Sequence, residues 1–351
     1  SINENEITLT IKGTGEQYIV YEWSYIRPSR VYINGVLQST TGIKVNIEEG
    51  DENTETTIKM EWDSPLTKTA NMFFTLSNII NIDISKLDTS SLTDMGGMFR
   101  SCSSLTSINF GDIDTSKVKN MAGMFYTCSN LISLDLNFNT SSIESTMNMF
   151  AECTSLKSVN FHNFDTSKVS DMHSMFQSCK SLTTLDLSSF DTSLVTDMGN
   201  IFENCNSLIS LNLKNFNTSK TVNINNMFYG CSSLISLNLQ NFDSSNANDP
   251  QHFFNSIRKD LIFCFDIDKV SALSSSFEGY NNNCNDICFA GDNIKLNVEK
   301  EECIEDCKND DTNRLEYKNI CYQTCPDDTH VTSDDLFLCQ KKPESYYLDS
   351  D

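Results

Sequence analysis

Residues 163–187 read NFDTSKVSDMHSMFQSCKSLTTLDL. Residues 189–213 and 215–239 repeat the phrase as SFDTSLVTDMGNIFENCNSLISLNL and NFNTSKTVNINNMFYGCSSLISLNL. Near-identity at a fixed period is the signature of a stacked repeat array. A single unit of this size cannot bury a core, whereas stacked copies bury a continuous one. Two periodicities alternate inside the unit. Val169, Met172, Met175 and Phe176 recur at helical spacing, which predicts one face of a short helix. Leu185 and Leu187 alternate with Thr184 and Asp186, which predicts a strand with the leucines inward and the polar pair outward. Asp165, Thr166 and Ser167 supply side-chain oxygens suited to turns and helix caps. The expected fold is an α/β repeat solenoid with a parallel sheet on one face.

The phase runs well beyond these three copies. Cys102, Cys128, Cys153, Cys179, Cys205 and Cys231 are spaced 26, 25, 26, 26 and 26 apart. Leu76, Ile257 and Tyr280 hold the same place in flanking copies. The solenoid should therefore cover residues 66–283 in about nine coils. Apolar residues fill the place where cysteine does not, so the six ladder cysteines are read as buried free thiols. Side chains running parallel along a stack lack the converging geometry of a disulfide. The methionines at 98, 124, 149, 175 and 227 are read as core on the opposite side.

Residues 1–65 differ. ITLTIKG, RVYINGVL and TTIKMEW are short β-favouring runs, and Asn34-Gly35 is a hairpin signal. They predict a small antiparallel domain that caps the repeats. Residues 284–351 carry seven closely spaced cysteines, an even set of eight once Cys264 is added. With Cys264, which is out of ladder phase, the set is Cys284, Cys288, Cys303, Cys307, Cys321, Cys325 and Cys339. Such density reads as a disulfide module and hence an oxidising compartment. Eight cysteines allow 105 pairings. The even intervals favour Cys264–Cys284, Cys288–Cys303, Cys307–Cys321 and Cys325–Cys339, with an interleaved set as the competitor. Structural zinc favours C-x2-C knuckles, which are absent here.

The net charge of −23 argues against nucleic acid and anionic membrane surfaces as partners. No run of 18 apolar residues is present, so no transmembrane helix is expected. Catalysis needs dissimilar groups that converge, and repeats supply one group over and over. The expectation is a protein that is not an enzyme and uses no cofactor or metal. Two features remain as candidate sites. One outward strand column comprises Asp83, Asn109, Asp135, Asn160, Asp186, Asn212 and Asn238. It is read as solvated ladders or as a broad, weak surface for sugars or polar ligands. The sequons at Asn139 and Asn217 replace aspartate in the FDTS turn, three coils apart, and are candidate glycan acceptors or simply alternative caps.

The L-x-x-L-x-L strand, the MFxxC segment and the FDTSxVxxM connection resemble the BspA-type leucine-rich repeats of microbial surface proteins. That resemblance implies a leucine-rich-repeat fold and a secreted or surface-attached adhesive role, and it carries over no binding residue. The run Cys321, Cys325, Pro326 and Cys339 is similar to furin-like and growth-factor-receptor cysteine-rich modules. The reading that follows is an extracellular glycoprotein with a structural or adhesive role and a protein or glycan partner. The alternative is self-association into a filament or coat, by end-to-end stacking or by addition of the SINENEITLTI strand to a neighbour.

Overall fold

The computed structural model describes residues 5–273, apart from 39–41, 49, 249, 251, 258–260 and 267, and six short strands of the C-terminal segment. The amino-terminal part contributes β1 (Glu6–Lys12), β2 (Gly15–Tyr18), β3 (Arg30–Ile33), β4 (Val36–Leu37), β5 (Lys44–Ile47) and β6 (Glu55–Glu61). The coils contribute β7 (Ile79–Asp83), β8 (Ser107–Asn109), β9 (Ser133–Asn137), β10 (Ser158–His162), β11 (Ser210–Asn212), β12 (Ser236–Leu239) and β13 (Ile262–Phe265).

Along the coils the strands pair in parallel, β7 with β8, β9 with β10, β11 with β12, and β12 with β13. Parallel neighbours need a long crossover, and the rest of each coil supplies it. That crossover is not helical. It carries a second parallel ladder of single bridges, from Lys68 through Asp94, Asn120, Ser145, Asp171 and Asp197 to Asn223. The protein is a β-solenoid of about seven turns, and its only helical element among the described residues is a short 3-10 turn at Ser271–Leu273. The α/β, leucine-rich-repeat expectation is therefore corrected, as is the count of nine coils. Tyr280, which marked the ninth, lies outside the described residues.

The hydrogen bonds explain the missing helix. The N–H groups of Met172, Ser174, Phe176 and Ser178 donate to Asp197, Gly199, Ile201 and Glu203 of the next coil at 2.7–3.0 Å. Those of Met175, Gln177 and Cys179 close tight turns onto Met172, Ser174 and Phe176 at 3.1–3.2 Å. An α-helix needs each N–H on the carbonyl four residues back, and here every second donor leaves the segment. Ser174 (φ 55°) and Ser178 (φ 57°) also sit in the left-handed region, which ends right-handed helix wherever it occurs. The same pair recurs at Asn71 and Thr75, Gly123 and Thr127, and Asn200 and Asn204. Turns that close on the third residue imitate helical spacing, so Met172, Met175 and Phe176 are buried as expected.

Inside, Phe73, Phe99, Phe125, Phe150, Phe176, Phe202 and Phe228 form a column of near-parallel rings with centroids 5.4–5.9 Å apart. The FDTS threonines tie coils together at the turn edge. Thr140 Oγ1 donates to the Asp165 carbonyl at 2.8 Å and accepts from the Asp165 N–H at 2.6 Å. Six residues on, Thr146 stands where other coils place Met121 and Met172, fully buried, and its hydroxyl has no partner. Two isosteric substitutions should therefore act in opposite directions. Thr140→Val should destabilise by about 2 kcal/mol, because it strands a buried donor and an acceptor. Thr146→Val should stabilise by about 1 kcal/mol. Urea midpoints measure both, and the same sign for the two would refute the assignment.

At the amino-terminal end β1 lies between β6 and β7 and is antiparallel to both, with Ile7, Leu9 and Ile11 fully buried. The cap is thus continuous with the first coil's sheet. The strand suggested as a donor to a neighbouring molecule has both edges filled within its own chain. Asn34 (φ 48°) and Gly35 (φ 81°) form the left-handed hairpin turn between β3 and β4. In the C-terminal segment, β14 (Lys295–Asn297) pairs with β15 (Glu302–Ile304), β16 (Leu315–Tyr317) with β17 (Ile320–Tyr322), and β18 (Thr329–Val331) with β19 (Cys339–Lys341), each antiparallel. Cys264 is disulfide-bonded. The side chains of Cys284, Cys288, Cys303, Cys307, Cys321, Cys325 and Cys339, and with them the proposed pairings, lie outside the described residues. Among the described residues no helix is long and apolar enough to cross a membrane.

Candidate functional site

The six ladder cysteines are free and buried. Each thiol donates to the carbonyl of the core phenylalanine one coil back, for example Cys179 to Phe150 at 3.2 Å and Cys128 to Phe99 at 3.0 Å. Burial pushes the thiols of Cys102, Cys153 and Cys205 up to about 12. A thiol held protonated in the core is neither a nucleophile nor a metal ligand at neutral pH.

The strand column picked out as ligand-facing has a local task. Asp83, Asn109, Asp186, Asn212 and Asn238 each accept the N–H of the residue two further on, at 2.9–3.2 Å. These bonds turn the chain out of the strand. The column is also not uniformly open. Asn109, Asp135 and Asp186 are exposed and Asp83, Asn160 and Asn212 half-buried, whereas Asn238 is buried, as are Thr184, Ser210 and Ser236 beside it. The outward reading fails at the C-terminal coils. The register reading holds there, with Cys264 directly opposite Asn238.

Asn139 and Asn217 are both exposed. In each, Oδ1 accepts from the N–H and hydroxyl of the serine two residues on, at 3.2 and 2.7 Å for Asn139 and 3.1 and 2.7 Å for Asn217. Asp165 and Asp243 close the same turn with a carboxylate oxygen, so asparagine is one of two residue types that fit. Open grooves flank both sites. One of about 640 Å3 surrounds Asn139, and one of about 450 Å3 adjoins Asn217.

Three arrangements escape a reading by repeat phase. His173 Nδ1 meets Asp197 Oδ1 at 3.1 Å, and Asn200 lies 3.3 Å from its other ring nitrogen. The Asp197 hydrogen bond raises the His173 pKa. Arg100 lies over both Phe74 (5.6 Å) and Tyr126 (4.7 Å), and Tyr21 packs edge-on against Phe74. Beyond Tyr21, the loop over residues 21–28 holds Trp23 and Tyr25 at 73% and 101% exposure. That loop is braced. Arg27 donates to the carbonyls of Ser24, Ile26 and Glu22, and Ser24 closes a turn onto Tyr21. Composition hides this feature, because the chain's only other tryptophan, Trp62, is buried.

A family model described as "Mycoplasma protein of unknown function, DUF285" matches residues 46–160 and again residues 147–261. The two matches overlap inside the solenoid and span more than half of the chain. No curated protein matches the chain. With the end of the cap and the coils to residue 261 inside two successive matches, the chain belongs to the DUF285 family.

Proposed function

We propose that this chain is a non-enzymatic extracellular interaction protein, in which the solenoid is a rigid spacer and the amino-terminal cap presents the contact residues. The observation that carries the reading is the braced loop with Trp23 and Tyr25 in solvent. Exposing two large aromatic side chains on a fixed loop is unfavourable in water. Tryptophan, tyrosine and arginine are the residues that dominate binding hot spots, and a braced loop loses little entropy on binding. Arg100 and Tyr126 extend the same chemistry along the coils. The resemblance to BspA-type surface repeats and the disulfide at Cys264 support an oxidising, extracellular location. The filament alternative is less favoured, because β1 closes the edge of the first coil's strand.

Alanine at both Trp23 and Tyr25 should leave the urea midpoint unchanged within about 0.5 kcal/mol. It should lower binding to intact cells or extracellular matrix at least tenfold, the scale of a hot-spot pair. Binding equal to that of the parent protein would reject the loop as the contact.

A further inference from the structure

The groove beside Asn139 coincides with an irregularity in the sequence. Between the last inward strand residue and the first turn residue, neighbouring coils have two residues, Gly111-Asp112 before Ile113 and His162-Asn163 before Phe164. The coil between them has one, Asn137, between Leu136 and Phe138. This accounts for the single 25-residue interval in the cysteine ladder. The coil with the missing residue borders an open groove at the turn edge, about 640 Å3 in volume.

The lining has a definite chemistry. Phe161, half-buried, stands in the column that Leu136, Leu187 and Leu213 occupy in other coils, and Phe164 packs behind it edge-on at 5.0 Å. The rim is formed by Asp114, Asn137, Asn139 and Asp165. Asn163 donates to Asn137 Oδ1 at 2.7 Å, and Ser141 occupies Asn139 Oδ1, which leaves both Nδ2 groups as donors. Ser116 and Ser167 hydrogen-bond Asp114 and Asp165 and hold both carboxyls below the usual carboxylate range. Each retains an oxygen as an acceptor. An aromatic floor, two charged acceptors, two amide donors and no basic side chain among the lining residues suit a ring with one apolar face and a rim of hydroxyls. Lys117 and Lys168 stand near enough to Asp114 and Asp165 to help hold them ionised, and with both carboxylates ionised the rim disfavours anions.

We propose that this groove binds a neutral pyranose sugar, with its apolar face on Phe161 and its hydroxyls on Asp114, Asp165, Asn137 and Asn139. The sugar can be external, or it can be an outer residue of a glycan attached to Asn139 Nδ2, in which case Asp114, Asp165 and Asn137 hold its hydroxyls. The site is remote in sequence from Trp23 and Tyr25 and is tested separately from them.

The test uses the full chain made in a bacterial host, without glycans, and saturation-transfer NMR with methyl glucoside, N-acetylglucosamine and sialic acid. The neutral sugars should receive transfer and sialic acid should not. Phe161→Leu, the side chain other coils carry there, should weaken neutral-sugar binding about three- to tenfold without unfolding the protein. The double change Asp114→Asn with Asp165→Asn keeps both turns, as Asn139 and Asn217 show, and should admit sialic acid. Protein secreted by a glycosylating host separates the sources. If added sugar binds it only after Ser141→Ala removes the sequon, the attached glycan is the occupant. If it binds before and after, the occupant is external. No transfer from any neutral sugar, or equal transfer in Phe161→Leu, would overturn the site.

Discussion

Raising the pH above about 9 is expected to unfold the solenoid steeply, because six buried thiols resist ionisation together. Burial pushes Cys102, Cys153 and Cys205 up to about 12, and burial with help from neighbouring thiols raises Cys128, Cys179 and Cys231 well above the ordinary thiol value. An unfolded thiol ionises near 8.5. Above that value the unfolded chain has lost protons that the native chain keeps, so stability falls as pH rises. It is fully present below the unfolded value and is lost progressively toward the native one. Each thiol contributes a slope of about 1.4 kcal/mol per pH unit, and six acting together approach ~8 kcal/mol per unit. A typical domain stability of 5–15 kcal/mol would vanish within about two units. Urea midpoints measured across this range without reductant, so that the Cys264 disulfide survives, should show it. Cys179→Ala should remove about one-sixth of the slope. A stability profile that stays flat to about pH 10, or a slope unchanged in Cys179→Ala, would show that the thiols do not titrate in this way.

Truncating the phenylalanine column should have the largest effect of any single core change. Phe176 is fully buried, stacked on Phe150 at 5.4 Å and on Phe202 at 5.9 Å, and it meets Phe161 edge-on at 6.2 Å. Phe176→Ala should cost about 3–5 kcal/mol, from lost transfer energy and a cavity that the adjacent coils cannot fill. A solenoid is coupled mainly between neighbours, so the damage should be local. Hydrogen exchange should accelerate most at the N–H groups of Phe150, Phe176 and Phe202, which donate along the stack. It should change least at β1, several coils away. Uniform acceleration over the whole chain would instead mean that the solenoid opens as one unit.

The repeat, its period, the buried thiols and the inward leucines were legible because they depend only on which side chains recur and on what water does to them. Capping by the β-rich amino-terminal residues followed from alternation and from Asn34-Gly35 in the same way. The helix was misread for a physical reason. Residues that recur at three and four positions satisfy an α-helix and a run of tight turns equally well, and the difference lies in where the backbone donors go. Ser174 and Ser178 look unremarkable in sequence, yet they adopt left-handed conformations because every second N–H is drawn to the neighbouring coil.

The candidate site divides along the same line. Asn139 and Asn217 could be located from their motif and placed on one edge by counting. The Asp83-to-Asn238 column could be placed on the strand face, but its turn-forming bonds and its burial at Asn238 could not. The braced Trp23 loop and the groove over Phe161 were not legible in the repeat, since the loop lies outside the coils and the groove is lined by residues of three successive coils. The sequence by itself determined a stacked array with a thiol and phenylalanine core, because period and hydrophobicity act residue by residue. The tertiary structure alone decided that the array is a β-solenoid, that its strand face closes over at one end, and which side chains are left in solvent. Those outcomes depend on hydrogen bonds made between coils, and the identity of a donor's partner is not written in any single coil.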